Sequence, residues 1–597
     1  MCGIIGCVGC GDTLGTLVHG LSKLEYRGYD SAGVALGGDE TLGVLKRAGE
    51  LDALRDALDG QSDLSGSVGI GHTRWSTHGP PTDENAHPHQ DCTGSVAVVH
   101  NGIIENYQEL RDELAAAGHT FGSDTDTEVV PHLIESGLES GADPEAAFRA
   151  AIDRLEGSFA IACLVAGAAS VFVARNDSPL VLGLAEDATY LASDVPAFRE
   201  YTDQVVYLDD GEFAELSADG WRVTDTDGDP IEKSVETISW DAEETGKSGY
   251  DHFMLKEIHE QPRALRQCLR GRVDELRGSV TVDELGDLEL DRVHLVAAGT
   301  SYHAAVYGAQ MLSADGIPAQ AHYAHEYASS PPPIENATVV GVSQSGETAD
   351  TLAATREARR RGAETLALTN TVGSTMAREC DDAFYIRSGP EIGVAATKTF
   401  AGQQTALNLL TQVARSGTAD RELVSALRDL PGDIQTILDE SDAEAVAEAY
   451  LDAAAYFFIG RGLNYPVALE GALKMKEISY EHAEGFAAGE LKHGPLALVT
   501  ANTPVFATVV DDDELARKTV GNIKEVEARN APVVAVTDGR SDAGRYADHT
   551  LEIPETHPRT AAILANVQLQ LVAYHTAAKL GRSIDKPRNL AKSVTVE

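Results

Sequence analysis

An internal repeat restricts the fold more than any other feature of this chain. RVHLVAAGTSYHAAVYGAQML at 292–312 and AYFFIGRGLNYPVALEGALKM at 455–475 share one plan: a short apolar run, a glycine turn, then helical spacing. Two further apolar runs follow each copy, ATVVGV and ETLALT in the first, TPVFATVV and PVVAVT in the second. Short apolar strands alternating with helices predict a parallel sheet with both faces covered. Parallel neighbours cannot be joined by tight turns, so the helices serve as crossovers. We therefore expect two α/β domains with parallel sheets, over residues 285–430 and 448–585.

The first part of the chain reads differently. Residues 2–225 are rich in strand signals such as IIGCVG, GSVGIGHTRW, SVAVVHNG and SFAIACLVAG, with few helical stretches between them. This predicts an α+β domain of stacked, largely antiparallel sheets. Residues 226–248 are polar and aperiodic, and are read as a linker. At 597 residues the chain is too long for one core, so several domains are required.

The charge narrows the partners. Asp and Glu number 94 against 47 Lys and Arg, a formal net charge of −47. Bulk attraction to nucleic acid or an anionic membrane is therefore not expected. The acids are spread through loops and helix faces, which suits a salt-rich cytoplasm where self-repulsion is screened. No apolar run is long enough for a membrane-spanning helix, and no basic region precedes the first apolar residues. The seven cysteines are scattered and odd in number, against a disulfide framework. Cys7-x2-Cys10 has no second pair with which to form a metal knuckle.

The chain begins Met-Cys-Gly. Removal of Met1 would leave Cys2 with a thiol and a free α-amine on one residue, the amine able to take the thiol proton. An Asn amide beside a Gly N–H, as at Asn101-Gly102, can stabilise an oxyanion. A free amino acid substrate needs an arginine for its carboxylate and an acid for its ammonium. Of Asp124 and Asp126, one is expected to cap the following helix while the other faces the site. His72, His78, His87, His89 and His100 match no metal-ligand spacing and are read as structural or loop residues.

MCGIIG, EYRGYDSAG, GHTRWSTHG, NAHPH, VVHNGIIEN and SDTDTEV together resemble the class II, N-terminal nucleophile, glutamine amidotransferase family. The resemblance implies Cys2 as nucleophile, with Asn101 and Gly102 as the oxyanion hole. It further implies Arg74 and Asp126 on the glutamine carboxylate and amine, Thr77 and His78 on a closing loop, and Trp75 gating the ammonia path.

Such domains are fused to several synthases. No SGGxD pyrophosphatase loop occurs, and the acidic run at 509–514 lacks the glycine of a phosphoribosyl pyrophosphate loop. Ser343-Gln344-Ser345-Gly346-Glu347-Thr348 instead follows one strand and opens a helix, and Gly299-Thr300-Ser301 does the same one unit earlier. Two such turns converge at the carboxyl ends of parallel strands, where phosphate groups bind. Glu470, Lys474 and Glu477 are spaced to share one helix face. Their apolar surroundings suggest burial, which raises a carboxylate pKa towards the range suited to proton transfer.

GTSYHAA, SQSGETADTL, GPEIGVAATKTF, AAGELKHGPLAL and the terminal DKPRNLAKSVTVE resemble the sugar isomerase (SIS) family, in its form fused to a glutaminase. That resemblance implies an enzyme acting on glutamine and fructose 6-phosphate, with ammonia channelled internally and no metal or organic cofactor. It implies a homodimer through the isomerase half. Thr300, Ser301, Ser343, Gln344, Ser345, Thr348, Val394, Glu470 and Lys474 would hold the sugar phosphate. Glu477 would move the proton, His493 would open the ring, and Lys592 of the tail 586–597 would form a Schiff base. Another ketose phosphate as substrate, or a phosphosugar-sensing regulator, are the alternatives; a regulator would not need Cys2 or the Glu/Lys/His set.

Overall fold

The computed structural model describes residues 2–37, 42–60, 64–76, 78–238, 246–274, 277–286, 288, 290–415 and 420–594. The chain forms two compact units, one of residues 1–245 with 591–597 and one of residues 246–590.

The first unit stacks two antiparallel sheets, one eight-stranded and one six-stranded, with helices outside. Strand Gly3–Val8 lies inside the larger sheet between Thr189–Ala192 and Val68–Arg74. Ile4 and Val8 point between the sheets, with Ala97 and Val99 from the other layer. Ile5 and Cys7 point the opposite way, onto Leu17 and Leu21 of helix Thr13–Leu24. Strand Val96–Ile104 likewise gives Val96 and Val98 to its covering helices. Both faces of each sheet are thus buried, so these strands read as continuous apolar runs. The segment expected to be a linker begins as part of this unit: Glu236–Thr237 pair with Gln204–Tyr207 at the sheet edge, and Lys233 bridges Asp209 and Glu212.

The second unit holds two five-stranded sheets of one topology, parallel in every pair. In spatial order the first has Ala319–Tyr323, Val293–Ala297, Thr338–Ser343, Glu364–Thr369 and Asp382–Tyr385. The second has Ala483–Ala487, Tyr456–Gly460, Val505–Val509, Val533–Thr537 and His549–Glu552. In both, the strand order reverses beside the first strand in sequence, which opens a crevice at the carboxyl ends. Helices Phe253–Leu269, Lys398–Ala414, Arg421–Glu440 and Pro558–Lys579 contribute to one core with both sheets. No helix among the described residues is long and apolar enough to cross a membrane.

Candidate functional site

In the first unit, Cys2 precedes the central strand and is half-buried. The Trp75 N–H donates to its Sγ at 3.4 Å, and the Trp75 carbonyl lies 3.6 Å from the same sulfur. The Cys2 carbonyl accepts from Arg27 Nε at 3.1 Å and Asn101 Nδ2 at 3.0 Å. Asn101 Nδ2 also donates to Ser193 Oγ at 2.8 Å, and the Ile4 N–H donates to that hydroxyl at 2.8 Å. His72 Nε2 sits 3.1 Å from Asn101 Oδ1 and 3.0 Å from the His100 carbonyl, so its N–H donates to these acceptors. Burial lowers the His72 pKa to about 3, which keeps the ring neutral. His72 therefore orients the Asn101 amide, and Asn101 and Ser193 hold the backbone on both sides of Gly3.

Gly102 has φ of +131°, and a Cβ there would lie 2.0 Å from the Ser158 carbonyl oxygen. Only glycine fits, so the bend beside Asn101 is built into the strand. Asp126 is buried and accepts the Ile104 N–H at 2.9 Å, which ties its loop to the Asn101 strand. Neither aspartate caps the next helix. Glu128 stands at the cap position of Val129–Glu139, and its carboxylate accepts the N–H groups of Gly122 and Ser123 at 2.7 and 2.8 Å. The longer Glu side chain satisfies the loop rather than the helix end. Arg74 is buried and donates to the carbonyls of His78, Gly79 and Pro80, holding the 78–80 turn. His78 packs edge-on against Tyr107, with ring centroids 5.8 Å apart. Thr77 lies outside the described residues.

In the second unit, Glu470, Lys474 and Glu477 share one face of helix Asn464–Ser479. Glu470 and Lys474 have no exposed surface, which excludes a solvated salt-bridge row. Lys474 Nζ reaches Glu470 at 3.3 Å and Glu477 at 2.5 Å. Thr300 Oγ1 donates to Glu470 at 3.0 Å, and His303 Nδ1 meets its other oxygen at 2.7 Å. Burial alone would raise the Glu470 pKa, but Lys474, His303 and Thr300 together hold it below its ordinary value. This corrects the expectation of a raised carboxylate pKa at Glu470. The sequence reading also missed His303, although GTSYH places it three residues after Thr300 on a helix face.

The two hydroxyl-rich turns of the first sheet are held by internal hydrogen bonds. Gly299 opens helix Gly299–Ala314 with φ of +54°, and Gln403 donates to Ser301 Oγ at 2.9 Å. Ser343 Oγ lies 2.9 Å from Thr348 Oγ1 and accepts the Gly346 N–H at 3.1 Å. Ser345 Oγ accepts the Glu347 N–H at 3.1 Å, and the Gln344 carbonyl accepts the Asn370 N–H at 3.0 Å. Val394 donates its N–H to the Asp585 carbonyl at 3.2 Å, while the Asp585 carboxylate caps helix Phe253–Leu269 through the N–H groups of Phe253 and Met254. His493 is exposed on the short turn Glu490–His493 and is not drawn into the Glu470 cluster. Lys592 is half-buried and falls in the first compact unit.

A half-exposed cysteine held by backbone and an asparagine, and an acid–lysine–acid row against the hydroxyl-bearing start of a helix from the other parallel-sheet domain, define a class: an amidotransferase fused to a phosphosugar-type α/β module. Two families match the chain accordingly, the glutamine amidotransferase domain over residues 72–200 and the SIS domain over 289–413 and 450–580. The glutamine–fructose-6-phosphate aminotransferase (isomerizing) of Halobacterium salinarum is 53% identical over 616 aligned positions, with both chains covered in full. That of Thermococcus kodakarensis is 47% identical over 612, again with both covered in full. The solved C-terminal domain of glucosamine-fructose-6-phosphate aminotransferase from Francisella tularensis is 35% identical, with a TM-score of 0.53, and covers 57% of this chain and all of that one. The chain belongs to the glutamine–fructose-6-phosphate aminotransferase (isomerizing) family.

Proposed function

We propose that the chain converts glutamine and fructose 6-phosphate to glutamate and glucosamine 6-phosphate. The observation that carries this reading is the buried Glu470–Lys474 pair beside Thr300, with half-buried Glu477 on the same lysine, in a chain that also holds Cys2 against Asn101 and Trp75. With Met1 removed, the α-amine of Cys2 takes the thiol proton and the sulfur attacks the glutamine amide carbon. The C–N bond breaks, ammonia leaves, and water hydrolyses the thioester to glutamate. Asn101 and Gly102 supply the oxyanion donors. Because both Asn101 amide hydrogens are engaged here, substrate displaces one of them, and the Ser193 contact is the one that leaves the Cys2 backbone fixed. Arg74 takes the substrate carboxylate by exchanging its turn carbonyls for it, and Asp126 takes the ammonium. Thr77 and His78 close over the substrate and Trp75 gates the ammonia path.

In the second unit the phosphate is taken by Ser301, Ser343, Gln344, Ser345 and Thr348 with the helix starts they precede, and Val394 lines the sugar. His493 opens the ring, and Lys592, which belongs to the tail 586–597 rather than to the second unit, forms an imine at C2, releasing water. Ammonia replaces the lysine nitrogen. Glu477 then moves a proton between C1 and C2 to give the aldose, its position set by Lys474 and through it by Glu470. Pairing of two copies through the isomerase half belongs to the same reading.

Glutamine labelled with nitrogen-15 at the amide tests the whole scheme. Mass spectrometry should find the label in glucosamine 6-phosphate, and Cys2→Ala should abolish glutamine hydrolysis while fructose 6-phosphate still binds. A Cys2→Ala protein that turns over glutamine at the wild-type rate, or a label found only on another sugar phosphate, overturns it.

A further inference from the structure

We infer that Cys92, His119, His132 and Glu135 form a metal site in the first unit, with zinc as the ion their chemistry fits best. Their ligand atoms all lie within 4.8 Å of one another. Cys92 Sγ is 3.8 Å from His119 Nδ1 and 3.7 Å from His132 Nδ1. Glu135 Oε2 is 2.8 Å from the first of those nitrogens and 3.1 Å from the second. A tetrahedral ion with bonds of about 2.3 Å to sulfur and about 2.0 Å to nitrogen or oxygen separates sulfur from nitrogen by roughly 3.6 Å, and nitrogen from oxygen by roughly 3.3 Å. The two sulfur–nitrogen separations and the His132–Glu135 separation fall within about 0.2 Å of that spacing, and the His119–Glu135 separation is about 0.5 Å shorter, before any ion is placed.

A plain hydrogen-bond cluster explains these contacts less well. Glu135 Oε2 would take both imidazole Nδ1 hydrogens and the Cys92 N–H, which lies 3.3 Å away. The thiol would then approach two nitrogens whose hydrogens already point elsewhere. Four ligands aimed at one centre remove that conflict. One thiolate, two neutral imidazoles and one carboxylate are ligand types that zinc takes, and together they fill its four tetrahedral positions. The surroundings support one of the two rings, His119; the buried Nε2 of His132 has no hydrogen-bond partner among the described residues. His119 Nε2 is 2.8 Å from Ser136 Oγ, which fixes that ring with Nδ1 turned inward. The Thr120 N–H donates to Cys92 Sγ at 3.4 Å, which fixes the position of the sulfur. Cys92 is exposed while His132 and Glu135 are buried, so the ion has an entry side. Binding displaces the thiol proton to solvent.

The ligands come from three places in the fold. Cys92 follows strand His89–Gln90, His119 follows helix Tyr107–Ala117, and His132 and Glu135 lie one turn apart on Val129–Glu139. Cys92 and His119 bracket Asn101 and Gly102, and His119 and His132 bracket Asp126. An ion here would clasp the segments that carry the candidate glutamine site without touching substrate.

The test is cobalt titration of the full chain after chelator treatment, with zinc measured by elemental analysis. We expect one equivalent of Co2+ with tetrahedral ligand-field bands and a thiolate-to-cobalt band in the near ultraviolet. Cys92→Ser should lose that band and stoichiometric binding, whereas Cys2→Ala should keep both. His132→Gln should also lose stoichiometric binding. Cys92→Ser alters an exposed side chain, so it keeps the test open if His132→Gln does not fold. A wild-type chain that takes up neither metal, or a band that survives Cys92→Ser, overturns the site.

Discussion

The two parallel sheets of the second unit have one topology and opposite chemistry. After its third strand in sequence, the first sheet presents Ser343-Gln344-Ser345-Gly346-Glu347-Thr348; the second presents Asp511-Asp512-Asp513-Glu514 at the same place. Both turns stand before a helix, Ala349–Arg360 and Glu514–Glu527. In the first, hydroxyls and backbone N–H groups bond to one another across the turn, and no carboxylate other than Glu347 stands in it. In the second, Asp513 caps the helix through the Ala516 N–H at 2.7 Å, and Asp511 and Arg540 pair at 3.4 Å, so a phosphate would meet carboxylates. The helix after the first strand differs in the reverse sense. Glu470, Lys474 and Glu477 lie in the second copy, and the corresponding first-copy helix supplies Thr300 and His303 as partners to Glu470. The two copies thus carry different side chains at matching places, and in the function proposed above one holds the phosphate and the other moves the proton. A repeated fold need not be a repeated function.

The sharpest break between the halves is expected at Glu477. Glu477→Gln keeps the shape and the hydrogen bonding but cannot carry the proton. It should lower formation of the amino sugar phosphate by about 10²–10⁴-fold in kcat, with the sugar phosphate KM little changed. Glutamine hydrolysis at Cys2 should persist. Loss in KM alone would assign Glu477 to binding and blur the contrast.

A smaller effect follows from giving the first half the second half's charge. Ser345→Asp puts a carboxylate where the phosphate is expected. Two like charges about 6 Å apart at an effective dielectric of about 20 repel by roughly 3 kcal/mol, or about 100-fold in KM for fructose 6-phosphate. Asp512→Ser in the other half should leave KM unchanged. Equal responses from the two variants would mean that the crevices share the phosphate.

The repeat, the parallel sheets and the stacked antiparallel sheets were all legible, because strand periodicity and glycine turns are local signals. So was the shared face of Glu470, Lys474 and Glu477, since helix geometry alone puts them together. What periodicity could not show is which distant groups would meet them. Glu470 stays ionised although buried because Thr300 and His303 arrive from another strand–helix unit. Ser193 reaches the Ile4 N–H, two residues after Cys2, from 189 positions further along the chain. The capping error at Asp124 and Asp126 has the same origin: Glu128 was already committed to the loop behind it. The Cys92 cluster joins residues spread across three elements and matches no spacing rule, so the sequence reading implied no metal there.

The smallest expected difference lies inside the first strand of each sheet. The repeat aligns His294 with Phe457, both buried. His294 Nδ1 is 3.1 Å from the Tyr327 hydroxyl, and His322 faces it with ring centroids 5.3 Å apart. Burial, reinforced by His322 and Arg292, lowers the His294 pKa to about 4. An unfolded histidine titrates near 6.5. As pH falls below that value the unfolded chain takes the proton first, so this residue's contribution is present above pH 6.5 and is lost towards pH 4. Phe457 has no such term. His294→Phe should therefore remove about 1 kcal/mol of the stability difference between pH 7.5 and 5.5. His322 titrates in both proteins and largely cancels in the comparison. The constant penalty from the unpaired Tyr327 hydroxyl also cancels, because only the slope with pH is compared. Denaturant midpoints across that range decide it. A variant whose acid slope equals that of the wild type would show that His294 protonates without unfolding cost, and the two strands would then be equivalent in this respect as well.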